Sequence, residues 1–506
     1  MVVELKSSAA VAEPDHSGVD TGRLAPVGVA TWRSVPAARA LSPTETPPVA
    51  AGDCPETGDG APGCWSTFRN GPRTDPRRGP HLDNGGVTFA LRAHALGSTS
   101  SSTCTSDAHS LPRLGGQVHS GHHGALIRAL EERPVAPGSM GCAEAHAAAI
   151  EHPSLTHSTG QEVERPPMWV MRQAGRYLPE YHEAKGNRDF FECCRDPEVA
   201  STLTLQPVER YAGLLDAAII FSDILVIPQA MGMVVEMVDK KGPHFPNPLQ
   251  SPTDGQYQTV LDRPVNVADE LDYVYKAITL TRKKLAGRVP LIGFCGAPWT
   301  LFCYMVEGGG TKLFAQSKTW IYKYPEETKK LLHKIADICV DHLALQVKAG
   351  AQLVMVFDSW AGELGPASFS RFSEPYLAHI AQKLPEKLKS MGLDAVPMTV
   401  FPKGAWHALD SACSLGYNVV GMDWLQDPAE AVKIRGSRNV VFQGNADPGV
   451  LYGTKEAITE AVEQMVKGFW VGNKGWIANL GHGITPGVNP DNLKHFFEEI
   501  HRLTKA

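Results

Sequence analysis

Pro167-Met168-Trp169-Val170-Met171-Arg172-Gln173-Ala174-Gly175-Arg176-Tyr177 is a short apolar run that passes directly into two arginines four residues apart. A run of this kind, bounded by Pro and Gly, reads as a strand buried on both faces. Arginine carries a permanent charge and a planar fork of donors that matches carboxylate or phosphate. Two of them at the mouth of a strand therefore point to an anionic ligand with several acid groups. The same stretch also reads as the solvated start of a surface helix, and the chain on either side has to decide between the two.

Downstream, the pattern of a short apolar run followed by a longer amphipathic interval repeats. The runs are residues 168–171, 217–222, 290–295, 353–357, 397–401, 418–422, 440–443 and 476–480. Continuous apolar runs bounded by Gly, Pro or Asp predict strands buried on both faces, and the intervals have the length that parallel crossovers require. Amphipathic helices are predicted over 271–285, over 326–349 and over 369–391 with an interruption at Pro385. Another opens at Asp427-Pro428, where Asp suits the cap and Pro the first turn. Residues 231–248 form an extra excursion after the second run, with the apolar Val234-Val235-Glu236-Met237-Val238 of a small hairpin. Eight strand–helix alternations, with no GxGxxG after any of these runs, predict a single (β/α)8 TIM-type barrel over residues 161–506 rather than an open doubly wound sheet.

Residues 1–160 have a different character. They are rich in Ser, Thr, Pro, Gly, Ala and His and lack a sustained period of 2 or 3.6, so they are predicted to be a mostly disordered extension. Residues 125–133 and 143–150 are short helical exceptions. Glu4, Glu13, Asp15 and Asp20 depart from the acid-poor pattern of a transit peptide. Cys54, Cys64, Cys104, His122 and His123 lack the paired spacing of a zinc site.

A net charge of -6 argues against non-specific nucleic-acid binding, so any anion must be attracted by a local cluster. No apolar run reaches the roughly 18 residues of a membrane span. Cys295, Cys303, Cys339 and Cys413 sit in apolar segments as small hydrophobes, and Cys193-Cys194 lacks a CxxC spacing; a reducing cytoplasmic setting fits this usage.

In a barrel of this type the active site lies at the carboxyl ends of the strands. The residues that follow the eight runs are Arg172, Asp223, Gly296-Ala297-Pro298, Asp358-Ser359, Lys403, Asp423, Asn445 and His482. They mix cations with carboxylates and contain no His-x-His or His/Cys cluster, which predicts metal-free chemistry. Asp223 closes an unbroken apolar run, so it is either a carboxylate at a low-dielectric floor or the cap of the next helix. His482 lies between Gly481 and Gly483, and its imidazole is expected to be free to act near neutral pH; with Arg172 it also fits a phosphate loop, which barrels often carry after the last two strands.

The wording of several blocks resembles the uroporphyrinogen decarboxylase family. The blocks are Met171-Arg172-Gln173-Ala174-Gly175-Arg176-Tyr177-Leu178-Pro179-Glu180-Tyr181, Leu215-Asp216-Ala217-Ala218-Ile219-Ile220-Phe221-Ser222-Asp223-Ile224-Leu225, Gly293-Phe294-Cys295-Gly296-Ala297-Pro298-Trp299-Thr300-Leu301, Tyr304-Met305-Val306-Glu307-Gly308-Gly309-Gly310 and Asn479-Leu480-Gly481-His482-Gly483. The resemblance implies removal of CO2 from the four acetate side chains of uroporphyrinogen III to give coproporphyrinogen III, by a homodimer without a cofactor. It implies catalytic roles for Asp223, Arg172, Tyr304 and His482, and substrate contacts from Arg172, Ala174, Arg176, Lys185, Asp223, Tyr304, Ser359 and His482. In the family the aspartate accepts the pyrrole N–H groups, and the arginines bind the carboxylates. Lys185 stands where the family usually has Arg, so the charge remains but the fork is lost. Residues 154–160 stand where the family carries a short helical lead-in. Two unlike alternatives remain at this level: a barrel methyltransferase, whose zinc ligands this chain lacks, and a non-catalytic tetrapyrrole-binding protein.

Overall fold

Seven short strands hydrogen-bond in parallel into one curled sheet, in a computed structural model that describes residues 163–505 apart from 239, 240 and 473. In chain order the strands are β1 (Ala218–Ile219), then the hairpin strands β2 (Glu236–Val238) and β3 (Gly242–His244), then β4 (Leu291–Gly296), β5 (Leu353–Asp358), β6 (Met398–Pro402), β7 (Val419–Gly421), β8 (Val441–Ala446) and β9 (Trp476–Leu480). The sheet order is β1-β4-β5-β6-β7-β8-β9, and β2 and β3 pair only with each other, antiparallel. The expectations for residues 1–160 lie outside the described residues.

The first predicted strand is reduced to a single bridge, Met168 to Ala478. The segment still fills the first position of the barrel, between β9 and β1. Trp169 N donates to Ala478 O (3.3 Å) and Ala478 N to Pro167 O (2.8 Å) on the β9 side, while Asp216 N donates to Met168 O (2.9 Å) on the β1 side. Side chains take the rest of the ladder: Met171 N donates to Asn479 Oδ1 (3.1 Å), Val170 N to Gln173 Oε1 (3.3 Å) and Met168 N to Asp216 Oδ2 (2.9 Å). Backbone groups buried this deeply must be satisfied, and amide and carboxylate side chains satisfy them without regular strand geometry.

The strands are apolar because both faces are covered. Every residue of β8 and β9 is buried, and burying one Leu, Val or Phe contributes about 1.5–3 kcal/mol. The helices Asp272–Leu285 and Pro325–Ala349 match the predicted intervals within a residue. Asp427 caps Pro428–Arg435 by accepting from Glu430 N at 2.8 Å. The interval 369–391 behaves differently. It divides into Pro366–Phe372 and Glu374–Ser390, and Pro385 lies inside the second helix without ending it. The break falls at Ser373 because Pro375 cannot continue a helix from the preceding turn. Ser373 also turns inward, its hydroxyl donating to the buried Asp358 Oδ2 at 2.6 Å.

Candidate active site

A cavity of about 420 Å3 opens at the carboxyl ends of the strands, within the size range of small-molecule sites. It lies to one side of the barrel mouth. Its walls come from the loop after Met171, from β1 and the residues following it, from the hairpin β2–β3, from Phe294, Phe357 and Ser359, and from residues 482–486 after β9. Arg172, Ala174, Arg176, Lys185, Asp223, Ser359 and His482 all line it. Seven of the eight predicted ligand contacts thus meet in one space. The eighth, Tyr304, does not line it but is buried behind it, stacked on Trp360 with ring centroids 4.0 Å apart. The Tyr304 hydroxyl has no hydrogen-bond partner among the described residues.

The other half of the mouth is closed by its own hydrogen bonds, so the remaining strand-end residues do not reach the cavity. Asp423 accepts from Gly404 N and from Leu425 N (2.9 Å). Asn445 Nδ2 donates to Asp423 O (2.9 Å) and Gln426 O (2.8 Å). Lys403 lies over the Trp424 ring. Asp358 is fully buried and accepts from Thr300 Oγ1 and Ser373 Oγ, both at 2.6 Å. These groups hold loops in place, and the charged residues of the cavity come from the first position of the barrel, its following helices, and the ends of β1 and β9.

Arg172 occupies its place through backbone strain and a glycine. Its φ is 62°, a left-handed conformation unusual outside glycine. The turn is pinned on both sides: Ile484 N donates to Met171 O (2.9 Å), and Gln173 Nε2 donates to Ala217 O (3.1 Å). Its side chain then lies against Gly483, where an added Cβ would stand 2.6 Å from Arg172 Cγ and Nε. Although Arg172 keeps a partly exposed face in the cavity, the surrounding protein desolvates its guanidinium and lowers its pKa; the nearby Tyr304 and Asp223 oppose this, and Arg176 adds to it.

Asp223 is 4% exposed. It does both things its position allowed. Oδ1 accepts from Leu225 N at 2.7 Å, turning the chain toward the helix Val226–Ala230, while the residue lines the cavity beside the apolar Ile219, Phe221 and Ile224. Its charge also acts on Tyr304, whose pKa is raised first by burial and then by Asp223.

His482 departs from expectation. Burial first, then the charges of Arg172 and Lys403, lower its pKa well below the ordinary histidine value. It is a neutral imidazole near pH 7, so it enters the site as a hydrogen-bonding group and not as a group poised to titrate there. The flanking glycines serve close packing: a Cβ on Gly481 would stand 2.7 Å from Trp424 N and 2.9 Å from Asn445 O.

Comparison with known proteins bears on the same region. The uroporphyrinogen decarboxylase (URO-D) family model matches residues 151–503. Uroporphyrinogen decarboxylase of Schizosaccharomyces pombe is 56% identical over 352 residues, covering 70% of this chain and 97% of that protein. The chain belongs to the uroporphyrinogen decarboxylase family. The namesakes from Danio rerio and Homo sapiens are 53% and 49% identical, covering 69% of this chain and 93% and 94% of their own lengths. Among solved structures, a methyltransferase from Methanosarcina mazei superimposes with a TM-score of 0.57 at 19% identity, over 70% of this chain and 99% of that one. That likeness establishes the barrel alone.

As a member of this family, the chain shows several cavity residues that the strand-end rule passed over. Tyr181, Asp189 and Phe190 come from the helices after Arg176, and Met237, Val238 and Gly242 from the hairpin. The hairpin was legible, but its position over the cavity was not. It is set by Phe245 N donating to Gly308 O (2.8 Å) and Leu249 N to Met305 O (2.9 Å), which tie it to the helix Pro298–Glu307 that carries Tyr304.

Proposed function

We propose that this chain decarboxylates the acetate side chains of uroporphyrinogen in the cavity at the mouth of its barrel. The observation that carries the reading is the pairing of one buried carboxylate, Asp223, on an apolar floor with Arg172, Arg176 and Lys185 on the walls. A tetrapyrrole macrocycle directs several pyrrole N–H donors toward its centre, where a single acceptor meets them. Its carboxylates radiate outward to the cations, with charge-assisted bonds available to each. Ser359 adds a neutral donor at the wall.

Decarboxylation needs an electron sink, and protonation of a pyrrole α-carbon makes one within the substrate. Electrons of the breaking C–C bond flow into that ring, CO2 leaves, and the exocyclic carbon takes a proton to become methyl as the ring proton is returned. Asp223 stabilises the cationic pyrrole as it forms, an electrostatic contribution that is usually large in catalysis. Arg172 supports the proton-donor role because desolvation makes its guanidinium a stronger acid than it is in water. His482, neutral in the free site, holds a substrate carboxylate or N–H in place.

The same proposal includes a homodimer in the cytoplasm. The family resemblance supports the dimer, and the six described cysteines, all free and buried, support a reducing compartment. No helix of the described residues is long and apolar enough to cross a membrane. Asp223→Asn tests the central claim: it should lower kcat by roughly 100-fold or more while leaving the melting temperature nearly unchanged. Activity within a few-fold of the parent chain would remove Asp223 from the mechanism.

A further inference from the structure

A second cluster of chemically capable side chains lies on the helical layer outside the sheet and has no part in the cavity. The helix Pro325–Ala349, which leads into β5, packs against the helix Glu374–Ser390 that follows it. His333 and Asp337 stand at i and i+4 on the first helix, one turn apart on the same face. His379 reaches them from the second. His379 Nε2 lies 2.7 Å from Asp337 Oδ1, His333 Nε2 lies 3.9 Å from Asp337 Oδ2, and the two imidazole rings are 4.7 Å apart at 60°.

We propose that His333, Asp337 and His379 form a binding site for a divalent transition metal of the zinc class, clasping these two helices together. One ligating atom from each residue lies within 4.8 Å of the others. Tetrahedral zinc with bonds near 2.0–2.1 Å requires its ligands about 3.3–3.5 Å apart, so the three ligating atoms stand within about 1.5 Å of the separations a shared ion needs. Water supplies the remaining position. The donor set selects the metal: two imidazoles and one carboxylate suit zinc, nickel, cobalt or copper, whereas magnesium and calcium take oxygen ligands.

Among the described residues, the ion pairs of Asp337 are with the two imidazoles alone. Of the nearby lysines, Lys383 pairs with Glu386, Lys387 with Asp341, and Lys334 donates to the carbonyls of Leu261 and Arg263, while the exposed Lys330, one turn before His333, has no ion pair among the described residues. His333 and Asp337 are 59% and 58% exposed, so a metal has direct access, while His379, at 18%, is held more firmly by the helix pair. A metal bound by the folded pair and not by the separated helices stabilises the fold by mass action.

The full-length chain, stripped with a chelator, is titrated with ZnCl2 by calorimetry and melted with and without zinc, beside His333→Ala/His379→Ala and Asp337→Asn. The parent chain should take up one more zinc per chain than either variant, and its melting temperature should rise with zinc while theirs does not. Co2+ should give visible d–d absorption lost in both variants, and Mg2+ should produce no shift. Asp337→Asn keeps an oxygen acceptor for His379, so its metal-free melting point reports whether the helix pair is still formed. Equal zinc uptake and equal shifts in all three chains would assign the binding to other histidines and cysteines and overturn the proposal. A comparable rise with Mg2+ would also overturn it, by showing a general cation effect.

Discussion

Gly483 and Arg172 show how one residue's chemistry depends on another's lack of a side chain. A methyl group at 483 stands 2.6 Å from the middle of the Arg172 side chain, which must move because its backbone is pinned. Gly483→Ala is therefore expected to fold normally but to lose roughly 10- to 100-fold in kcat/KM, the usual result of displacing a catalytic group by about 1 Å. Unchanged kcat/KM with an intact circular dichroism spectrum would show that Arg172 does not depend on this contact. Asp358 makes a different prediction. Full burial raises its pKa to about 6, against the opposing hydrogen bonds from Ser373 and Thr300. The folded state then holds this proton more tightly than the unfolded state, whose carboxyl has an ordinary pKa near 3.9. Its contribution to stability is present below about pH 4 and is lost as pH rises to about 6, by an amount on the order of 3 kcal/mol. Urea unfolding should show Asp358→Asn gaining stability relative to the parent between these pH values; a difference that does not vary with pH would mean that the carboxyl titrates normally in the fold.

Among the elements, the segment around Met168 is the one whose geometry is made by side chains. Arg165 grips Asp216 through two bonds of 2.6 and 2.8 Å, and the same carboxylate takes Met168 N at 2.9 Å. Asp216, 5% exposed, thus joins the first position of the barrel to the start of β1, between the two elements that carry Arg172 and Asp223. Asp216→Asn leaves at least one of these donors without its charged partner, and a loss of about 1–3 kcal/mol in stability is expected. Because the strained turn at Arg172 rests on this joint, KM for the substrate should rise as well. A variant with parental stability and KM would show the joint to be dispensable. The hairpin β2–β3 and the helix Pro298–Glu307 form a second such unit, bringing Met237 to the cavity wall and Tyr304 behind it through shared backbone bonds.

For the whole molecule, every described residue of the cavity lies C-terminal to residue 170, and the family match begins at residue 151. A chain beginning at residue 151 is expected to fold, to retain most of the activity and to run as a dimer in light scattering at micromolar concentration. Loss of folding on removing residues 1–150 would place part of the barrel's support there, and a monomer would contradict the dimer. Activity after chelation should equal that of the untreated chain even though the proposed zinc clasp is emptied, because neither clasp helix contributes a side chain to the cavity wall.

Local order was carried by the chain itself. Apolar runs such as 353–357 and 476–480 read as strands because they are short, bounded by turn residues and followed by amphipathic intervals, and the resemblance of residues 171–181 and 215–225 pointed to the chemistry. Arg172, Asp223 and His482 were legible because barrel geometry collects strand ends on one face. Tertiary structure decided which of those ends share a cavity. Asp423 follows its strand just as Asp223 does, and Asn445 lies at the end of β8, yet Asp423 also takes Gly404 N while Asn445 donates to Asp423 O and Gln426 O, long-range hydrogen bonds that no local pattern encodes. It also decided the state of His482, since desolvation and the charges of Arg172 and Lys403 act through space from residues far away in the chain. The meeting of His333 and Asp337 with His379 has the same origin: two helices separated by β5 in sequence become neighbours only when the sheet curls and packs them side by side.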